Sequence, residues 1–194
     1  ADVKLTVAAA LGPGDLLVLN GEDALLRARA PELARRYGFC PPLGWFALDA
    51  DLALLRESRA RGVPTCGVRA GRLCLYHGGV EHDLGAVAAM PLTAGAIAAY
   101  NSANLAAAAL AAAELGIAPA TIARVFSQFG ADPRDNPGRL MRFDIGGVCV
   151  LVDFAHNPES LRAFLGVAAR QRGQTGRLGM LLGHAGNRQD SDLE

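Results

Sequence analysis

Apolar and polar positions alternate in the first part of the chain in a way that predicts strands followed by helices. The apolar runs at residues 15–20 ("DLLVLN") and 44–50 ("GWFALDA") are short, which favours buried strands. The segments that follow them, residues 22–38 and 51–62, predict amphipathic helices, and the opening segment, residues 2–11, predicts another helix. This strand–helix–strand–helix order is typical of parallel βαβ units.

The pattern changes beyond these units. Residues 65–87 consist of short alternating runs separated by glycine-containing pairs, which predicts antiparallel hairpins. Residues 101–117 are rich in alanine and leucine and predict a strong helix, and residues 119–130 predict a second helix that starts at a proline. The first part of the chain is therefore expected to be an α/β unit with parallel and antiparallel strands.

A linker is predicted at residues 131–138, "ADPRDNPG", because prolines, a glycine and charged residues are concentrated there. Beyond it, residues 139–147, 148–155, 158–172 and 177–186 predict strand, strand, helix and strand. This order predicts the start of a second α/β domain. A parallel sheet needs more strands to bury both faces, so we expect the chain to be cut at its C-terminus, and also at its N-terminus, where it opens inside a helix.

The composition favours a packed protein without nucleic-acid or membrane partners. Hydrophobic residues make up 51% of the chain, and 19 basic residues balance 19 acidic ones, so no basic face for phosphates is expected. No apolar run reaches the roughly 18 residues of a membrane span, and no secretory signal is visible. The cysteines, Cys40, Cys66, Cys74 and Cys149, lack CxxC spacing and predict reduced thiols. A cytoplasmic location is expected.

Polar residues lie at and just after the C-terminal end of the predicted strand at residues 148–155. Ligands of open α/β sheets lie beyond the carboxyl ends of the strands, where Asp153, His156 and Asn157 stand in this sequence. A carboxylate suits ribose hydroxyls, and an imidazole with the free N–H groups of the next helix suits phosphate oxygens. Alternatively, Asp153 and Asn157 only cap and brace the turn after the strand.

Several stretches of the chain resemble the Mur ligase family. Residues 136–165 resemble its Gly-Arg pair, strand and "DYAHNP" motif; residues 100–117 resemble its "HNxxNAxAAxAxAxxLG" helix; and residues 16–23 resemble its "xVxNADD" strand end. The resemblance implies part of a P-loop-type central ATPase domain over residues 1–133, with parallel βαβ units and antiparallel hairpins. It implies the start of a Rossmann-like C-terminal α/β domain, which binds the amino acid, over residues 134–194.

The activity that the resemblance implies is ATP- and Mg²⁺-dependent amide-bond formation. In the family, ATP phosphorylates a substrate carboxylate, and an amino acid then attacks the acyl phosphate. The implied partners are an amino acid and a carboxylate or peptide substrate, and a homo-oligomer is compatible with them. No GxxxxGK(S/T) motif occurs in the chain, so we expect weak or no ATP binding and no turnover from these residues alone.

The resemblance also implies which residues bind ATP. Asn101 matches an asparagine that contacts adenine, and Arg139 matches an arginine that reaches ATP from the interdomain junction. Asp153 matches an acid near the ribose, and His156 matches a catalytic histidine near the nucleotide and its phosphates, with Asn157 beside it. We expect these side chains to converge on one ATP in a complete enzyme. The alternatives are a helix N-cap for Asn101 and a salt bridge at the linker edge for Arg139.

Two further residues receive roles from the resemblance. Lys4, the only lysine of the chain, stands one helix before the "LLVLN" strand. A lysine of the family stands at the same place, and its carbamate binds Mg²⁺. The resemblance therefore implies a catalytic and metal-binding role for Lys4. Arginine could not form this carbamate. Arg188 matches a basic residue that contacts the substrate of the C-terminal domain. The alternatives are an ordinary lysine on a helix surface and an ordinary surface arginine.

Other functions stay open because the family motifs are not complete. The acids "DD" of the family are Glu22 and Asp23 here, and "GDR" is replaced by residues 186–188, "GNR". A cell-wall precursor ligase or a folylpolyglutamate-type ligase is one alternative. A non-catalytic remnant that senses nucleotides or binds a protein is another, and a P-loop upstream of the chain would argue against it.

Overall fold

The computed structural model describes residues 2–12 and 14–183, and the chain divides into two compact units. Unit 1 comprises Ala1–Ala131 and unit 2 comprises Asp132–Glu194. The division falls inside the segment predicted as a linker. The assignment of residues 1–133 and 134–194 to a central and a C-terminal domain stays a prediction.

The elements of unit 1 have the following bounds. The strands that the structure describes are β1 Leu17–Asn20, β2 Leu43–Asp49, β3 Thr65–Arg69, β4 Arg72–His77 and β5 Val80–Ala86. The α-helices are α1 Asp2–Leu5, α2 Ala24–Arg29, α3 Leu33–Tyr37, α4 Ala53–Ala60, α5 Ala99–Glu114 and α6 Pro119–Phe126. Short 3-10 segments lie at Thr6–Ala10, Ala30–Glu32, Val87–Ala89 and Pro91–Thr93.

The strands of unit 1 form one sheet in the order β1-β2-β3-β4-β5. The pairs β1–β2 and β2–β3 are parallel, whereas β3–β4 and β4–β5 are antiparallel. The predicted α/β class, with parallel βαβ units followed by antiparallel hairpins, is confirmed. None of the helices described is long and apolar enough to cross a bilayer.

The core of unit 1 lies on both sides of this sheet. One cluster of buried residues joins α5 and α6 to the hairpin strands and includes Leu73, Leu75 and Leu110. A second cluster joins the N-terminal helices to the parallel strands and includes Leu19 and Trp45. Small side chains of α5, such as Ala106 and Ala109, are fully buried in the first cluster, and Asn101 at the start of α5 is buried as well.

One predicted helix of unit 1 is broken. Residues 22–38 were expected to form a single helix, but the structure has α2, a 3-10 segment at Ala30–Glu32, and α3. Pro31 lies in that segment, and a proline has no N–H to donate to a helix. The expected helix at residues 2–11 likewise continues from α1 as a 3-10 segment.

Unit 2 is built on one hairpin and one long helix. Its described elements are a 3-10 segment at Pro133–Asp135, β6 Met141–Ile145, β7 Val148–Val152 and α7 Pro158–Arg172. The strands pair antiparallel across Gly146 and Gly147, whose φ angles of 58° and 79° suit a tight hairpin turn.

The strand expected at residues 177–186 is wrong for the part that the structure describes. Residues 177–183 have no strand structure, and Leu181 is 100% exposed. A strand is stable only when a neighbouring strand takes up its backbone hydrogen bonds, and the described part of this segment has no such neighbour. Residues 184–186 lie outside the described residues.

Candidate functional site

A pair of hydrogen bonds joins the turn before β6 to the residues after β7. The backbone N–H of Leu140 donates to Oδ2 of Asp153 at 2.8 Å, and the N–H of Phe154 donates to the carbonyl oxygen of Gly138 at 2.8 Å. These contacts flank Arg139 on both sides. Leu140 has a φ of 45°, in the left-handed region that is costly for a leucine, so the contacts hold a strained turn in place.

The Phe154 ring contacts two residues of the predicted site. The guanidinium carbon of Arg139 lies 5.2 Å from the centroid of the ring, which is a cation–π contact. The imidazole of His156 lies 5.2 Å from the same ring, centroid to centroid, with the planes inclined by 43°. The side chains of Arg139 and His156 are therefore gathered around one aromatic ring.

His156 is also held by the backbone. Its Nδ1 lies 3.0 Å from the carbonyl oxygen of Phe154. Because a carbonyl oxygen only accepts hydrogen bonds, Nδ1 carries the proton and donates it. In the neutral ring, Nε2 is then left as the acceptor. Nε2 of the neutral ring can therefore accept a hydrogen bond from a donor such as a hydroxyl. It can donate to a phosphate oxygen only when the ring is protonated.

Asn157 is the N-cap of α7. Its Oδ1 accepts from the N–H of Ser160 at 2.8 Å, and the Ser160 hydroxyl accepts from the N–H of Asn157 at 3.2 Å. Because Pro158 has no N–H and the N–H of Ser160 is already bonded to Asn157, the helix start offers few free donors to a ligand. The capping alternative for Asn157 is present in the structure, and so is the bracing alternative for Asp153. Both residues keep polar atoms that these contacts do not use.

The residues predicted to bind ATP fall into two groups. Arg139, Asp153, His156 and Asn157 lie together in unit 2. The salt-bridge alternative for Arg139 is not what the structure describes, since its contact there is with the Phe154 ring. Arg188, predicted to bind substrate, lies outside the described residues.

Asn101 lies in unit 1, on the first turn of α5. The residue is only 6% exposed, and its Nδ2 donates to the carbonyl oxygen of Leu92 at 2.8 Å. Its Oδ1 accepts from Asn104 Nδ2 at 3.3 Å. The N-cap alternative is wrong, because the N-cap position of α5 is Ala98. Asn101 instead ties the helix to the loop before it.

Lys4 forms an ion pair in unit 1. Its Nζ lies 3.4 Å from Oδ2 of Asp23, and its side chain is 69% exposed. Asp23 also caps α2, because its Oδ1 accepts from the N–H groups of Leu25 and Leu26. The hydrogen bond from Leu26 lowers the pKa of Asp23 below its ordinary value, and Lys4 lowers it further. The alternative of a lysine on a helix surface fits its exposure.

The residues around Lys4 supply few ligands for Mg²⁺. Within residues 2–12 and 14–183, no group of three or more His, Cys, Asp or Glu side chains is placed to bind a metal. Asp23 is the carboxylate beside Lys4, and the neighbouring Glu22 accepts from the N–H of Leu48 at 3.2 Å. Mg²⁺ is commonly held by one or two carboxylates together with phosphate oxygens, so Asp23 and a carbamate on Lys4 would be sufficient.

The sequence did not assign a role to two residues that the structure places at these sites. Phe154 stands inside the quoted motif, and its signal is an aromatic residue directly after Asp153 and two positions before His156, just beyond the end of a strand. Asp23 stands in the acidic pair after β1, but its pairing with Lys4 depends on contact between residues 19 positions apart.

Comparisons with known proteins agree with the motifs. Residues 138–194 match the family described as Mur ligase, glutamate ligase domain. The chain is 30% identical over 193 residues to cyanophycin synthetase of Trichormus variabilis, covering 100% of this chain and 20% of that protein. For the cyanophycin synthetase of Synechocystis sp. the identity is 29% over 193 residues, covering 100% of the chain and 21% of that protein.

A second kind of ligase is also similar. The UDP-N-acetylmuramoyl-L-alanyl-D-glutamate--2,6-diaminopimelate ligase of Alkalilimnicola ehrlichii is 34% identical over 165 residues, covering 76% of this chain and 32% of that protein. Residues 138–194 therefore match a domain of the Mur ligase family, and the chain is similar over most or all of its length to ligases of that family. Within the family, the order of "ADVK", "LNGED", "NPGR" and "GNRQDSDL" predicts a likeness to the ligase portion of cyanophycin synthetase, and the comparisons confirm it. The chain spans about a fifth of the length of those synthetases, 20% in the first case.

Proposed function

We propose that the chain is part of an ATP-dependent amide-bond ligase of the cyanophycin synthetase type. The observation that supports this most directly is the cluster of Arg139, Asp153 and His156 at the end of β7, within residues that match the Mur ligase family. A cation, a carboxylate and an imidazole at the carboxyl end of a strand suit the phosphates and ribose of a nucleotide.

Each side chain has a defined part in this proposal. The Arg139 guanidinium donates to phosphate oxygens, and the oxygen of Asp153 that does not hold Leu140 accepts from ribose hydroxyls. His156 meets a hydroxyl through Nε2 when neutral and a phosphate oxygen when protonated. In unit 1, Asn101 contributes to adenine binding through its Oδ1, which is also the acceptor of the hydrogen bond from Asn104.

The proposed chemistry is a phosphoryl transfer followed by an acyl transfer. The γ-phosphoryl group moves from ATP to an oxygen of the substrate carboxylate, and ADP leaves. The amine of an amino acid then attacks the carbonyl carbon, loses a proton, and expels phosphate together with that oxygen. Lys4 as a carbamate, with Asp23, would hold the Mg²⁺ that neutralises the phosphate charge during the first step.

The oxygen balance provides the decisive test. In this test the complete gene product is given a substrate whose carboxylate is labelled with ¹⁸O. The proposal requires one labelled oxygen in the released phosphate. The label is detected by ³¹P NMR or mass spectrometry. A ligase that activated the carboxylate as an adenylate would place the label in AMP. Release of ADP with unlabelled phosphate would show ATP hydrolysis without acyl phosphate formation.

Substitution of Arg139 tests the site itself. In the complete gene product, Arg139→Ala is expected to weaken ATP binding by roughly 1.5–3 kcal/mol, the cost of a charge-assisted hydrogen bond that is shielded from water. Arg142→Ala is the matched control, because Arg142 is a neighbouring exposed arginine whose contact is a 3.7 Å ion pair with Asp144. Equal effects of the two substitutions would argue against a nucleotide site at Arg139.

The chain by itself is expected to bind ATP weakly or not at all. A P-loop supplies most of the phosphate contacts in related sites, and its motif is absent from these residues. Micromolar Mg·ATP binding by the isolated chain in calorimetry would contradict this expectation. Such binding without ligation in the complete gene product would favour the nucleotide-sensing remnant.

A further inference from the structure

Phe154 is a large apolar side chain that does not contribute to a buried core. It is 62% exposed, directly after β7, although burial of an aromatic ring is normally favourable. The Mur ligase motif "DYAHNP" has tyrosine at this position, so the ring is present here without its hydroxyl. Its described ring contacts are with Arg139 and His156.

We propose that Phe154 is a positioning residue that holds the Arg139 guanidinium in place for the nucleotide and supports the His156 ring beside it. The inference rests on the proposed function, because it assumes that Arg139 and His156 meet the nucleotide. Phe154 itself touches no reacting atom in this scheme. It acts through the two side chains that its ring contacts.

The backbone alone leaves the guanidinium free to move. The contacts of Leu140 and Phe154 fix the turn on both sides of Arg139, but they end at its backbone. A long arginine side chain carries considerable rotamer entropy, which would be lost on binding a phosphate. The cation–π contact at 5.2 Å removes part of that freedom before the ligand arrives.

His156 receives a different kind of support from the same residue. The carbonyl oxygen of Phe154 accepts from Nδ1, which sets the tautomer, while the tilted ring restricts rotation of the imidazole. A substitution of the Phe154 side chain removes the ring contacts and leaves the carbonyl in place. The two contributions can therefore be separated by mutation.

The first experiment measures the contact in the chain itself. In the NMR spectrum of the protein, the Hγ and Hδ protons of Arg139 are expected to be shifted upfield by the ring current of Phe154. Phe154→Leu should abolish this shift and Phe154→Tyr should keep it. Val148→Leu, an exposed position at the other end of β7, is the control and should leave it unchanged. Normal random-coil shifts for Arg139 in the unsubstituted chain would overturn the proposal.

The second experiment measures the consequence in the complete gene product. Phe154→Leu is expected to raise the KM for ATP by about five- to thirtyfold, the worth of a cation–π contact that a bound nucleotide shields from water. The value of kcat should change much less, and Phe154→Tyr should recover most of the loss. Phe154→Met provides a second apolar side chain without a ring, in case the leucine variant folds poorly.

A double-mutant cycle separates positioning from a general structural role. If Phe154 acts through Arg139, the effect of Phe154→Leu on KM should fall well below its value in the unsubstituted enzyme when Arg139 is already alanine. Fully additive effects would show that Phe154 acts independently of Arg139 and would overturn the proposal.

The outcomes also distinguish this inference from the proposed function. If Arg139→Ala raises the KM for ATP but neither Phe154→Leu nor Phe154→Met does, the nucleotide site stands and the positioning role is wrong. If Arg139→Ala leaves the KM unchanged, the nucleotide site at Arg139 is wrong, and the positioning role falls with it.

Discussion

The side-chain amide of Asn101 donates to the carbonyl oxygen of Leu92 at 2.8 Å, and this contact ties α5 to the loop before it. The loop contains Ala94 and Ala96 with φ angles of 51° and 67°, which are costly for alanine. Thr93 is fully buried and accepts from the N–H of Ala96 at 3.0 Å. A residue predicted to contact adenine is thus also part of the structure that holds a strained loop.

Asn101→Ala is therefore expected to destabilise unit 1 even without a ligand. The Leu92 carbonyl would lose its partner in a partly buried place, which costs roughly 1–3 kcal/mol of the free energy of unfolding. Chemical denaturation of the chain measures this change. Asn104→Ala is the control, because Asn104 is exposed and its contact with Asn101 is longer, 3.3 Å. A loss for Asn104→Ala as large as that for Asn101→Ala would contradict this account.

Asp153→Ala is expected to release the turn at residues 138–140. The carboxylate accepts from the N–H of Leu140 at 2.8 Å, and Leu140 is held in the left-handed region. Hydrogen exchange at the Leu140 amide should accelerate in the alanine variant. Asp153→Asn keeps an acceptor oxygen and should slow the exchange again. An exchange rate that is the same in all three proteins would show that the hydrogen bond is not formed in solution.

The cysteines should differ in reactivity according to their burial. All are free, and Cys40 and Cys149 are exposed, whereas Cys66 is buried and burial strongly raises the pKa of its thiol. Partial burial raises the pKa of Cys74 as well. A thiol reagent at neutral pH should modify Cys40 and Cys149 first, Cys74 more slowly, and Cys66 only on unfolding. Rapid labelling of Cys66 under native conditions, located by peptide mass spectrometry, would be the contrary result.

The strands of unit 1 could be predicted because their signals are local. Short apolar runs bounded by glycine and proline give β1 and β2, and glycine pairs give the hairpins of β3, β4 and β5. Pro31 was also a sequence signal for the break in the helix at residues 22–38, but the amphipathic pattern continues through it and predicts a single helix. The expected strand at residues 177–186 failed over its described part, since a strand needs a partner that its own sequence does not specify.

The candidate site was predictable as a set of residue types and not as a set of contacts. The motif places Asp153, His156 and Asn157 at the end of a strand because their order is local. The contact between Arg139 and Phe154, and the one between Lys4 and Asp23, join residues far apart in sequence, so that only the folded chain brings them together. Such contacts decide which atoms remain available to a ligand.

Asp23 should make the stability of unit 1 depend on pH in the acid range. Its pKa in the folded chain is lowered, first by the hydrogen bond from Leu26 and then by Lys4. A group with a lowered folded pKa stabilises the fold above its unfolded pKa, and this contribution is lost as the pH falls through the folded value. The loss should occur below about pH 4, the ordinary range of an aspartate.

Thermal unfolding as a function of pH measures this contribution. In Asp23→Asn, the part of the acid-induced loss of stability that is assigned to Asp23 should disappear. Lys4→Gln should remove only the smaller part that comes from the ion pair, because the bonds from Leu25 and Leu26 remain. If Asp23→Asn titrates like the unsubstituted chain, the acid loss comes from other carboxylates.

Lys4→Arg is expected to abolish ligation by the complete gene product while leaving the fold nearly intact. Arginine keeps the positive charge that pairs with Asp23, and the position is exposed, so stability should change little. Arginine cannot form a carbamate, because the reaction needs an uncharged amine.

The pairing with Asp23 adds a condition to this role of Lys4. A carbamate would bring a second negative charge to the place where the ammonium now faces the Asp23 carboxylate at 3.4 Å. Like charges at that separation repel, so the carbamate and Mg²⁺ are expected to stabilise each other.

Steady-state turnover of Lys4→Arg, with circular dichroism as the folding control, tests this role of Lys4. In Lys4→Ala, small carboxylic acids should partly restore turnover by supplying the missing oxygens. Wild-type turnover in Lys4→Arg would show that Lys4 is an ordinary surface residue, paired with Asp23 for stability alone.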